Sequence, residues 1–241
     1  MAKQKNAKIM SPEESRKLIG KNLSFAASEA YKLLRTNLNF SLPDEGRCKV
    51  IGVTSSLRGE GKSTTSVNIA YTMAQTGNKV LLLEADLRLP TLAKRLKVAA
   101  RPGLSNLLVG QCKGSEVLQG SGLLENFWVI TAGNTPPNPA EMLGSRQMET
   151  VLHSLAESFD VIVVDLPPVT AVTDALLVSK LVDGMVVVVR QNYCDKNALN
   201  ETVRQLQFAE AKVLGFVMTG ADYQKRGYHH YGNYGDYKSS K

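Results

Sequence analysis

The chain has 241 residues, 43% of them hydrophobic and 21% charged, with a formal charge of +7. That composition excludes a disordered polymer and a disulfide-built miniprotein, and no apolar run approaches the ~20 residues that cross a bilayer. The charge does not mark a nucleic-acid domain either. Residues 1–22 hold six basic and two acidic side chains, 223–241 hold four and one, and the middle balances at 19 against 19, whereas a nucleic-acid binder carries its excess on the folded body.

In chain order, residues 1–23 read as a basic, flexible N-terminal segment without the apolar core of a secretion signal, so the chain is expected to be cytoplasmic. Residues 24–222 form the predicted folded domain. From Lys49 onward the segments KVIGVTS, KVLLLEAD, FWVITAG, FDVIVVDLPP, GMVVVVR and KVLGFVMTG read as strands, with helices between them. Runs such as VIVVD and MVVVV lack polar alternation, which predicts strands covered on both faces. The alternation predicts an α/β fold with a doubly wound, mostly parallel sheet. Gly77 is placed to close the helix after the first strand, and Asn138, Pro139 and Glu141 to open one helix over PAEMLGSRQMETVLHSLAESF. Cys48, Cys112 and Cys194 form no CxxC pair and read as reduced packing residues.

The first strand runs into SSLRGEGKSTT, which meets the spacing G-x-x-x-x-G-K-[ST] with Ser56 in place of the first glycine. Ser56, Gly59, Glu60, Gly61, Lys62, Ser63 and Thr64 are therefore the predicted nucleotide-binding loop. Its glycines let backbone N–H groups turn inward around phosphate oxygens at a helix N-terminus. Lys62 supplies a full charge to the β- and γ-phosphates, and the Ser63 hydroxyl can be offered to Mg²⁺. Two strand ends then deliver carboxylates. Glu84 and Asp86 alternate to the same face, and Asp165 follows an apolar strand in the Walker B arrangement that holds Mg²⁺. In a doubly wound sheet all three lie at the carboxyl edge, where ligands bind.

Taken in order, SEAYKLLRTNL, GEGKSTT, LLLEADLRLP, GLSNLLVG, TPPNPAEML and FDVIVVDLPPV, with the tyrosine-rich end, make the chain resemble the bacterial tyrosine kinases of capsule and exopolysaccharide export over residues 24–241. The resemblance implies a P-loop kinase using ATP and Mg²⁺, with Lys62 binding phosphate, Ser63, Asp86 and Asp165 related to the metal, and Glu84, Asp86 and Asp165 catalytic. Glu84 stands where most members have Asp. It also implies a homo-oligomer, a ring whose contact helix carries E-x-x-R-x-x-R. Glu29, Lys32 and Arg35 occupy those places here, with Lys32 replacing an arginine.

Residues 223–241 hold Tyr223, Tyr228, Tyr231, Tyr234 and Tyr237, five of eight tyrosines, in a flexible tail with no apolar period to bury them. Within the resemblance they are phosphoacceptors, modified by a neighbouring subunit, and each phosphate adds about −1.5 to −2 charge. The resemblance further implies the split form of the family. There a membrane-anchored activator supplies a cytoplasmic segment, recruits the kinase to the inner face of the membrane, and a cognate phosphotyrosine phosphatase reverses the modification. A partition or division-site ATPase would carry a second signature lysine at position 57, where this chain has Leu57. A nucleotide-binding scaffold without transfer is the other alternative.

Overall fold

The computed structural model describes residues 14, 16–42 and 46–221. Seven strands form one sheet: β1 (Lys49–Ser55), β2 (Val80–Glu84), β3 (Gln119–Gly120), β4 (Phe127–Ile130), β5 (Val161–Asp165), β6 (Gly184–Arg190) and β7 (Val213–Thr219). Their order is β3-β4-β2-β5-β1-β6-β7, and every pairing is parallel except β3 with β4. The short β3 is an addition to the six predicted strands, since two residues, Gln119 and Gly120, carry no periodicity.

The central strands are apolar on both faces because each face is covered. Ile51, Val53, Leu82, Val163, Val186 and Val188 pack with Val67, Ile69, Ala70 and Met73 of helix α2 (Lys62–Ala74), whereas Leu81, Leu83, Ile162, Val164, Met185 and Val187 point into a second core on the other side. The side-chain period of two thus divides one strand between two cores. β7 lies at the edge, with Phe216 and Met218 each 54% exposed.

Helix α1 (Phe25–Ser41) begins where Ser24 Oγ accepts a hydrogen bond from the Ala27 N–H at 3.3 Å, and it packs on α2. The segment before it is not detached, which corrects the expectation of a flexible stretch over 1–23 for its described end. Ile19 is 3% exposed, Gly20 N–H donates to Asn68 Oδ1 at 2.9 Å, and Asn68 Nδ2 donates to Leu18 O at 2.8 Å. One buried amide on α2 therefore reads two backbone groups of the segment, and Arg16 reaches the carbonyls of Lys94 and Arg95.

The helix predicted to run on from Pro139 is two. Helix α4 (Pro139–Leu143) stops at Gly144, and α5 (Arg146–Ala156) starts anew because Ser145 Oγ accepts from the Met148 N–H at 3.2 Å. A serine beside a glycine offers the backbone a cap that competes with continuation. Asn138 does not cap the first of the two; its side chain donates to Glu141 Oε2 at 2.6 Å. Gly77 follows the end of α2 with φ of +91°, a backbone state that glycine adopts without a Cβ penalty. The cysteines are free, and burial pushes the Cys48 thiol up to about 12, so it acts as a packing group.

Candidate functional site

Parallel pairing sets the level of the site. Val53 lies opposite Asp165, and Asp165 opposite Glu84, so β1, β5 and β2 end together at the carboxyl edge. The loop from Ser56 to Gly61 leaves β1 there and enters α2 at Lys62. Gly59 and Gly61 have φ of +88° and +95°, the left-handed region in which a side chain would strain the backbone.

Other strands brace this loop. The Glu60 carboxylate, fully buried, accepts the N–H of Leu57 at 2.6 Å through Oε2 and the N–H of Arg190 at 3.1 Å through Oε1. Arg190 Nη1 returns a hydrogen bond to Gly59 O at 3.2 Å, Thr219 Oγ1 donates to Glu60 O at 2.6 Å, and Tyr193 Oη donates to Arg58 O at 2.8 Å. The Glu60 side chain, predicted as part of the nucleotide loop, thus faces the protein and shapes the turn. Ser56 is buried at the start of the loop, and its carbonyl accepts from Thr170 Oγ1 at 2.5 Å.

Lys62 and two predicted carboxylates meet. Lys62 Nζ lies 2.8 Å from Asp86 Oδ2, 3.9 Å from Asp165 Oδ1 and 3.4 Å from Ser63 Oγ. Burial pulls the Lys62 ammonium down, but Asp165 and Asp86 more than offset it, and its pKa stands above the ordinary value. Burial pushes Asp165 up against the opposing pull of Lys62 and of hydrogen bonds from Ser63 and Ser66. Ser66 Oγ donates to Asp165 Oδ1 at 2.9 Å, while Asp165 Oδ2 is buried with no hydrogen-bond partner among the described residues. Asp86 Oδ1 accepts the Leu89 N–H at 3.1 Å.

Glu84 is 1% exposed, and its oxygens go elsewhere. Oε1 accepts the N–H groups of Thr91 and Leu92 at 2.5 and 2.7 Å, and Oε2 that of Ala132 at 3.1 Å. The carboxylate holds the start of helix α3 (Leu92–Leu96) and the chain after β4. Sharing a strand face with Asp86 therefore does not give it a share of the Lys62 contacts.

Beside the loop, a groove of about 450 Å³ runs between α1 and β7, touched by Ala30, Leu34, Gly61, Thr65, Met218 and Thr219. A larger cavity of about 1050 Å³ opens at the opposite edge, against Lys49, Val161 and Asp183, away from the loop and the carboxylates.

The chain matches the AAA domain family over residues 48–214. Tyrosine-protein kinase YwqD of Bacillus subtilis (strain 168) is 36% identical over 208 residues, 86% of each chain. Putative tyrosine-protein kinase CapB of Staphylococcus aureus is 35% identical over 85% of this chain and 90% of its own length. The kinase domain of Escherichia coli tyrosine kinase ETK superposes with a TM-score of 0.78 at 29% identity, over 92% of this chain and 86% of that one. The chain belongs to the bacterial tyrosine-protein kinases.

In this kinase the helix predicted as the subunit contact is only partly free. Lys32 Nζ meets Glu29 Oε1 at 2.7 Å, both side chains nearly half exposed, but Arg35 Nη1 is spent inside the chain on Thr72 O at 2.8 Å. The five tail tyrosines lie outside the described residues. No helix among the described residues is long and apolar enough to cross a membrane. Sequence reasoning passed over Ser66 and Arg190, since a hydroxyl one helical turn beyond the loop and a side chain at a strand end carry no motif. It also passed over Arg95 on α3, whose Nη1 donates to Thr64 Oγ1 at 3.0 Å.

Proposed function

We propose that this kinase uses Mg-ATP to phosphorylate tyrosines of its own C-terminal tail, between subunits of a homo-oligomeric ring, and thereby regulates capsular or exopolysaccharide synthesis and export. The observation that carries this reading is the cluster Lys62, Asp86 and Asp165 at the mouth of a glycine-turned loop. In transfer, the bond between the γ-phosphorus and the ADP oxygen breaks, a bond from that phosphorus to the tyrosine Oη forms, and the phenolic proton leaves to a carboxylate or water. The chain's contribution is positioning and charge neutralisation.

Lys62 rests on Asp86 at 2.8 Å, so a triphosphate seated in the loop competes with Asp86 for the ammonium. Once Lys62 turns to phosphate, Asp86 is left without its cation, in place to accept the tyrosine proton. Backbone N–H groups of Gly59 to Thr64 cradle the phosphates, and the groove between α1 and β7 takes the nucleoside.

Among the described residues no cluster of three His, Cys, Asp or Glu side chains forms a metal cage. That suits Mg²⁺, which keeps waters and takes phosphate oxygens alongside one or two protein ligands. Asp165, with one buried oxygen lacking a partner, and the Ser63 hydroxyl are the hard donors for it, with Asp86 behind them. Bound there, Mg²⁺ would neutralise charge on the phosphates. Glu84 acts through α3 rather than on the reacting atoms.

A membrane-anchored activator with a cytoplasmic segment would hold the kinase at the inner face of the membrane, and a phosphotyrosine phosphatase would reset the tail. The central test mixes two inactive proteins in Mg-ATP. Lys62→Met keeps the tail and loses the loop cation; changing Tyr223, Tyr228, Tyr231, Tyr234 and Tyr237 to Phe keeps the loop and loses the acceptors. Each alone should stay free of phosphotyrosine, and the mixture should gain it on the Lys62→Met subunit. A five-Phe protein that labels like wild type would refute the tail as substrate, and a blank mixture would refute transfer between subunits.

A further inference from the structure

Arg95 has the surroundings of a cation that lacks its anion. Its Nη1 donates to Thr64 Oγ1 at 3.0 Å and its Nε to Thr91 Oγ1 at 3.1 Å, so both partners are neutral hydroxyls. No carboxylate stands within ion-pair distance of it among the described residues. A guanidinium carries five N–H donors in a rigid fork, and these two bonds leave three unused. Of the other cations near the loop, Lys62 is committed to Asp86 and Arg88 to Asp174 through a two-bond fork at 2.9 and 3.0 Å, while Arg190 donates to the Gly59 carbonyl.

The side chain is also held in place. α3 starts on Glu84, whose strand partner is Asp165, and Arg95 follows Thr91 by one turn, its N–H donating to Thr91 O at 3.1 Å. Arg16 caps the far end of the helix by donating to the Lys94 and Arg95 carbonyls. Burial lowers the guanidinium's proton affinity while the charges of Asp165 and Glu84 act to raise it. A partly buried cation without a counter-ion is costly to keep.

We propose that Arg95 binds the terminal phosphate of the nucleoside triphosphate, as a second cation supplied in cis beside Lys62. The proposal rests on the kinase reading for its substrate class, but not for its test. With the phosphate chain running from the groove across the loop amides to Asp86 and Asp165, its last group arrives beside the helix that carries Arg95. The unused fork then meets two phosphate oxygens at once, the geometry in which arginine excels. Thr64 and Thr91 hold the fork ready.

The experiment compares binding of Mg-ADP and of a Mg-bound, non-hydrolysable ATP analogue to wild type, Arg95→Ala and Arg95→Lys by calorimetry. Loss of a charge-assisted fork should weaken the triphosphate by about tenfold or more in Arg95→Ala. The diphosphate should change by less than roughly threefold, because no terminal phosphate is present to lose a contact. Arg95→Lys should fall between, and millimolar guanidinium should restore part of the triphosphate affinity of Arg95→Ala. Equal weakening of both nucleotides, no change in either, or the absence of rescue would overturn the proposal and leave Arg95 as a tether between Thr64 and Thr91. If wild type makes no phosphotyrosine in Mg-ATP, the kinase reading fails, and the triphosphate-to-diphosphate ratio still decides the role of Arg95.

Discussion

Lys62 and Asp86 form an ion pair of 2.8 Å whose side chains are 12% and 7% exposed, so the cation proposed to bind phosphate is held by a carboxylate of the same loop mouth. The pair is nearly dry, and each partner justifies the burial of the other. Lys62→Met should lower phosphotyrosine formation by about 100-fold or more, since a cation on the developing charge is lost. The nucleotide-free protein should remain folded but lose about 1–3 kcal/mol, because Asp86 is left without its cation. Immunoblotting and urea unfolding check the two effects; a variant as active as wild type would remove Lys62 from the site.

Asp165 gives a pH dependence with a definite sign. Burial, the largest influence, raises its pKa above the ordinary 3.8, so the folded state holds the proton to higher pH than the unfolded chain does. The stability that proton confers is present below about 3.8, the unfolded value, and is lost as pH rises through the folded pKa. Asp165→Asn should flatten that slope and leave the nucleotide-free protein at least as stable near neutral pH, while raising the Mg²⁺ needed for nucleotide binding. Thermal melts across the acid range and a magnesium titration decide. A variant that melts several degrees lower at neutral pH, or titrates like wild type, would contradict the assignment.

Glu84 bonds the backbone of two separate segments, so its removal should be felt as stability. Glu84→Ala leaves the N–H groups of Thr91, Leu92 and Ala132 without their acceptor and should cost about 2–4 kcal/mol in urea unfolding. Nucleotide binding should weaken with it, because α3 loses its anchor beside the loop. Unchanged stability would mean that the three hydrogen bonds contribute nothing net.

On α1, the three positions aligned with the family's contact motif should separate. Glu29 and Lys32 form an exposed pair whose loss costs a few tenths of a kcal/mol, so their joint change to Ala should lower the assembly's mass in light scattering without moving the melting point. Arg35→Ala should instead cost about 1–2 kcal/mol by freeing the Thr72 carbonyl. A Glu29→Ala, Lys32→Ala protein of unchanged mass would exclude this pair from the subunit contact.

The sequence alone determined the sheet and the loop. Unbroken apolar runs fix strands with two covered faces, alternation with helices fixes parallel pairing, and the glycine spacing around Lys62 fixes a phosphate-sized turn, since each follows from local periodicity or backbone freedom. It brought Lys62, Asp86 and Asp165 to one edge for the same reason. What only the tertiary structure decided is which side chains spend their hydrogen bonds on the protein itself. By position Glu60 and Glu84 read as site residues and Arg35 as a subunit contact, yet they bond Leu57 and Arg190, the start of α3, and the Thr72 carbonyl. Their partners lie up to 130 residues away, and burial makes an unpaired carboxylate or amide too costly to leave open. Arg95 is the converse case: nothing in its sequence neighbourhood marks it, and only the folding of α3 against α2 brings its guanidinium to Thr64.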